Sequence, residues 1–160
     1  MIDWIEPDHN PAGVVYGTLI IGAVLATESA RRETLLETIG ATVLALVIYW
    51  LAHSYAATLG DRLDKQIPLS AAGIVRSLVR DRAIVRGASI PILALLIASG
   101  LGASLATAVL VAVWASAATV VAFELVAAIR ARLRGRELIV QVGVGAVMGL
   151  AIIGLRTVLH

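Results

Sequence analysis

The chain contains no cysteine, which excludes disulfides, thiolate metal sites and cysteine nucleophiles. Charge is also scarce. Asp, Glu, Lys and Arg make up 15% of the 160 residues, against roughly 25% in a soluble domain. The stretches 10–27, 38–60, 87–123 and 138–155 carry none of them. Histidine occurs only as His9, His53 and His160, and only His53 lies within one of these stretches. A histidine metal site inside one chain is therefore not expected. There is no Gly-rich phosphate loop, no His-Glu-x-x-His pair and no Gly-x-Ser-x-Gly elbow. The sequence points to neither an enzyme nor a cofactor.

What the chain has instead is apolar length: 59% of it is hydrophobic and its mean hydropathy is +0.93. A soluble fold of this size has too little interior to hide that much uncharged surface. The expected fold is all-α, a polytopic transmembrane helical bundle forming a single domain over residues 1–160. The acidic start (Asp3, Glu6, Asp8) lacks the basic leading segment of a cleavable signal, so the first apolar run is expected to remain as a span.

A helix needs about 20 residues to cross a hydrocarbon core of roughly 30 Å. The spacing predicts spans at 13–29 and 38–59. The third stretch, 87–123, is too long for one crossing, since a straight helix of that length would measure about 55 Å. It is expected to fold as a hairpin, broken at Ala98-Ser99-Gly100-Leu101-Gly102-Ala103-Ser104. That places spans at 87–100 and 104–129, with a fifth at 138–159.

Orientation follows from the basic residues of the loops. Arg62, Lys65, Arg76, Arg80, Arg82 and Arg86 precede span 3, and Arg130, Arg132, Arg134 and Arg136 precede span 5. Only Arg31, Arg32 and Arg156 fall to the other side. The majority predicts a plasma (inner) membrane protein with its N-terminus in the cytoplasm and its C-terminus outside. The excess of +2 is then read as a topology signal facing anionic headgroups, and nucleic acid is not expected as a partner.

The long basic loop predicts a short interfacial helix over 70–82, with Ser70 as N-cap. Ile74, Val75, Leu78 and Val79 would form its apolar face, and Arg76 and Arg80 the opposite one. Arg76, Arg80, Arg82 and Arg86 are candidates to touch lipid headgroups. A plain amphipathic connector is the alternative.

Polar groups inside spans are costly and therefore informative. Span 2 contains Tyr49-Trp50-Leu51-Ala52-His53-Ser54-Tyr55-Ala56. The imidazole of a histidine is the side chain whose charge changes most readily near neutral pH. His53 is a candidate proton-sensitive group, or else a neutral ring donating one hydrogen bond to a neighbouring helix. Glu124 is the acid well inside span 4, and it either shares a site with His53 or pairs with Arg130 or Arg132. Tyr49, Tyr16, Thr18 and Gln141 belong to the same half of the bilayer, and together these groups suggest one shared cavity. On the outer side Glu28 and Arg156 are candidates for an ion pair, or are simply solvated at headgroup level.

Gly145-x-x-x-Gly149 in span 5 lets a helix backbone approach closely, with Gly13-x-x-x-Gly17 a similar pattern in span 1. Such patterns pack helices within a subunit as readily as between subunits. Five helices enclose little cavity alone, so a homo-oligomer is expected.

Val15-Tyr16-Gly17-Thr18, together with the Tyr49 to Ala56 segment, resembles a group of small uncharacterised bacterial integral membrane proteins. The resemblance implies an integral membrane fold and carries no activity, so no functional residue is transferred from it. The potassium-filter run Thr-Val-Gly-Tyr-Gly is absent. The expected function is an oligomeric channel or small transporter for protons or other small ions, built on the His53 and Glu124 cluster. The alternative is a non-catalytic structural or accessory subunit that binds another membrane protein. A lipid-modifying enzyme has too few intramembrane carboxylates and histidines to support it.

Overall fold

A computed structural model describes residues 11–27, 34–66, 68 and 70–159. The described residues form six α-helices: α1 (Pro11–Thr27), α2 (Leu35–Lys65), α3 (Ala71–Arg80), α4 (Ala83–Gly100), α5 (Leu105–Arg130) and α6 (Arg136–Leu159). Among the described residues there is no strand. α2, α4, α5 and α6 are long and apolar enough to cross a membrane, and α1 is a shorter apolar helix. The chain is a multi-pass membrane helical bundle. α3 and the α5–α6 turn mark one end of it, called here the basic side.

Helix ends are set by local chemistry. Thr34 and Glu37 form a capping box at the start of α2: the Thr34 amide donates to Glu37 Oε2 at 2.7 Å, and the Glu37 amide to Thr34 Oγ1 at 3.3 Å. Ser70 caps α3, accepting from the Gly73 amide at 3.1 Å. The predicted hairpin break lies where α4 ends. Gly102 adopts φ +86°, a region open to glycine at no steric cost. The Ala103 and Gly102 amides then close onto the Ala98 and Ser99 carbonyls at 3.1 and 3.0 Å.

Several expected bounds shift: of the five spans, the first, expected at 13–29, is the shorter helix Pro11–Thr27, and α2 covers Leu35–Lys65 rather than 38–59. The interfacial helix stops at Arg80 rather than 82, because Asp81 turns the chain directly into α4. α4 consequently begins at Ala83, four residues before the expected start of span 3.

α1 sits at the centre and touches α2, α4, α5 and α6. It carries no charged residue, as befits a helix surrounded by others. In lipid, apolar burial supplies no drive for helices to associate, so close packing and interhelical hydrogen bonds must. The α1–α4 crossing provides both. A Cβ added to Gly17 would fall on the Ile84 carbonyl, and one added to Gly87 on the Val14 carbonyl. The two backbones therefore touch reciprocally. α6 meets α5 in the same way: a Cβ on Gly149 would lie 3.2 Å from Ala117 Cβ, and one on Gly145 2.6 Å from Glu124 Cγ.

Backbone accounting at this crossing explains a buried threonine. Pro91 lies inside α4 and is buried. Proline has no N–H, so the carbonyl four residues earlier, that of Gly87, loses its intrahelical donor. Thr18 Oγ1 of α1 donates to that carbonyl at 2.9 Å, and is also 2.9 Å from Val14 O. Thr18 is fully buried. Within a membrane a freed carbonyl is satisfied by neighbouring helices of this kind. Thr18→Val should therefore lower the unfolding midpoint in detergent, by the equivalent of about 1–3 kcal/mol for an unsatisfied buried acceptor. Thr18→Val combined with Pro91→Ala should recover most of the loss, because an alanine in place of the proline returns an N–H to the Gly87 carbonyl. A double variant no more stable than Thr18→Val would refute the pairing.

Candidate functional site

The titratable side chains within the bundle are arranged by helix pair. On α2, Tyr49 and His53 are four residues apart and share one face, with tilted rings whose centroids are 5.9 Å apart. Tyr16 of α1 also lies beside His53, at 5.8 Å. The imidazole thus neighbours two phenol rings where α1 meets α2. The groove there is open outward: His53 and Tyr49 are half-buried, while Tyr16 is 46% exposed.

Glu124 lies elsewhere, in the α5–α6 interface. The Gln141 side-chain amide donates to its carboxylate, and Gly145 leaves the space its side chain occupies. Arg130 and Arg132 are exposed, and among the described residues neither forms an ion pair with Glu124. Both polar stations lie at similar depth. Gly22 of α1 abuts Ser116 of α5; from that level Tyr16 is about 9 Å and Glu124 about 12 Å nearer the basic side, at 1.5 Å per residue.

The expected single cavity is therefore distributed over three helix pairs: Tyr16, Tyr49 and His53 between α1 and α2, Thr18 between α1 and α4, Glu124 and Gln141 between α5 and α6. Among the described residues no hydrogen bond or ion pair joins His53 to Glu124. Equal depth did not bring them together because α1 occupies the axis of the bundle and contacts both α2 and α6. Thr18 is committed to the Gly87 carbonyl. Gly145 and Gly149 are buried against α5 of the same chain.

At the basic side α3 is fastened to α2. Ser77 Oγ donates to Ser54 O at 3.0 Å, and Trp50 Nε1 to Leu78 O at 3.3 Å. Ile74 and Leu78 are half-buried, whereas Val75 and Val79, expected on the same face, are exposed. Arg80 lies 3.4 Å from Asp81 and 3.6 Å from Asp61, and donates to Ser77 Oγ at 3.2 Å. Asp81 is 1% exposed, a buried acid that in sequence resembles one more charge of an arginine-rich loop. The signal was its place between Arg80 and Arg82 at a helix junction. Arg82 and Arg86, grouped in sequence with Arg76 and Arg80, belong to the α4 start and are exposed. Of the expected outer pair, Glu28 lies outside the described residues, and Arg156 is half-buried in the last turn of α6.

Among the described residues no three His, Asp or Glu side chains gather as a metal site would require. No family model, curated protein or solved structure matches the chain. The geometry itself is open to test. A double-mutant cycle between Glu124→Ala and Gln141→Ala should give a coupling energy of about 0.6 kcal/mol, the average for interhelical hydrogen bonds in lipid, and no more than about 1.7. The same cycle between His53→Ala and Glu124→Ala should give none, as for residues without shared partners. Measurable coupling in the second cycle would contradict the separation of the two stations.

Proposed function

We propose that the protein is a multi-pass plasma-membrane channel or small transporter for protons or other small ions, with no enzymatic activity, acting as a homo-oligomer. Its arginine-rich loops and N-terminus face the cytoplasm, in keeping with the excess of basic residues on that side. The observation that carries this reading is His53, an ionisable ring beside Tyr16 and Tyr49, inside an uncharged stretch of α2 and half-buried.

An ionisable group left facing lipid is costly and marks ion or proton pathways by default. The α1–α4 and α5–α6 contacts close to backbone and Cβ distance, which supports a path along the α1–α2 groove rather than through the four-helix core. A second copy facing that groove would cover His53 and supply the other wall. Tyr16 and Tyr49 each bring a hydroxyl able to donate and accept, so a protonic path needs few added waters. Glu124, held by Gln141 in another interface, contributes to packing.

The same open groove favours one other reading, a structural or accessory subunit whose partner is a different membrane protein. Two measurements divide them. In proteoliposomes with an internal pH dye and an imposed potential, the wild type should conduct, His53→Ala should lose most of the flux, and Glu124→Gln should keep it. A folded, inserted and silent wild type would defeat the channel reading. Because the chain has no cysteine, Tyr16→Cys, at an exposed position beside His53, provides a single reporter. Oxidation should link two copies into a disulfide dimer if the groove faces its own kind, and should leave a monomer if it does not.

A further inference from the structure

Between the basic-side end of α2 and α3 lies a cavity of about 210 Å³, whose polar lining includes Asp61, Arg62, Ser70, Arg76, Ser77 and Arg80. It is separate from the His53 groove, and nothing about it depends on ion conduction. We propose that this cavity binds a phosphate group, carried either by a phospholipid headgroup or by a small soluble phosphate ester.

Charge decides the class of ligand. Three guanidiniums, Arg62, Arg76 and Arg80, line the cavity against one carboxylate, Asp61, and a second, Asp81, lies buried behind Arg80, which still leaves an excess of positive charge. Asp61 already faces Arg80 at 3.6 Å. An anion is attracted and a cation repelled.

The donors are also sorted by their existing bonds. Thr58 Oγ1 and Ser77 Oγ both donate to Ser54 O, at 2.8 and 3.0 Å, so their protons are turned away from the cavity. Ser70 Oγ accepts from the Gly73 amide and keeps its own proton to give. Arg80 is pinned by Asp61, buried Asp81 and Ser77, which fixes one wall in advance of any ligand. Arg76 is exposed, and among the described residues it makes no ion pair. Guanidiniums arriving from two helices suit an oxyanion with several acceptor oxygens, since arginine binds phosphate in paired, parallel hydrogen bonds.

Size and depth narrow the ligand further. The volume is below the roughly 300–1,000 Å³ of sites for drug-sized molecules, and fits a headgroup-sized ester. Thr58, Asp61 and Arg62 lie where the uncharged stretch of α2 gives way to charge, the level at which lipid phosphates sit.

The test uses the whole protein in maltoside detergent, which contains no phosphate. In one arm, native mass spectrometry measures retention of added phosphatidylglycerol against phosphatidylcholine. In the other, the thermal midpoint is followed as inorganic phosphate or glycerol 3-phosphate replaces chloride at constant ionic strength. Saturable binding is expected in one arm: the lipid arm alone identifies a headgroup, and a response to the solutes identifies a soluble ester. Arg76→Gln, which breaks no contact that holds α3, should weaken binding about tenfold, the loss of one charge-assisted hydrogen bond. Arg134→Gln removes the same charge from the α5–α6 turn and should leave binding unchanged. Absence of binding in both arms, or equal weakening by the two variants, would overturn the proposal.

Discussion

Everything in this bundle depends on how closely α1 and α4 approach. Gly17 and Gly87 remove the side chains that would hold the helices apart, so each backbone rests on a carbonyl of the other. At that distance Thr18 reaches the Gly87 carbonyl that Pro91 has deprived of its donor. A helix-breaking residue, a small residue and a hydroxyl are thus parts of one contact. Without the close approach the carbonyl would remain unsatisfied in a medium that offers no water. Without the hydroxyl, proline in α4 would leave a defect at the core of the protein.

That contact places α1 on the axis, and the remaining helices take their positions from it. α5 and α6 close around the far side through Gly22, Gly145 and Gly149. α2 packs on α1 as an outer helix, exposing Leu44, Ile48, Leu51 and Tyr55. α3 then folds back onto α2 through Ser77 and Trp50. The tight interior and the looser periphery have different consequences. Thr18, Ser116 and Glu124 each find their own partner inside, whereas His53 and the arginines of the α2–α3 corner line surfaces that remain open. The chemistry available to this protein is therefore at its edges.

Much of the architecture was legible in the residue order. The absence of charge over long stretches marked the spans, and two glycines with flanking serines located the hairpin at 98–104, where Gly102 takes a conformation that glycine adopts freely. Ser70 capped α3 as its type and position suggested. The limits of α3 and α4 were less legible, because Asp81 looks like one more loop charge. Only in the fold is it buried at the corner, with Ser77 and Arg80 around it.

The site was legible only in its parts. Residue order and hydropathy by themselves determined a membrane helical bundle, the turn at 98–104, the Ser70 cap and the roster of polar side chains within the spans, since these follow from local charge, backbone freedom and the depth at which each residue stands. Partnership among those side chains was decided by tertiary structure alone. Depth is one coordinate along a helix, but a contact also needs the rotation of each helix and the identity of its neighbour. With α1 between them, His53 went to two tyrosines and Glu124 to a glutamine at nearly the same level. The polar groups that sequence gathered into one cavity are separate stations because a central helix has only one circumference to share among four neighbours.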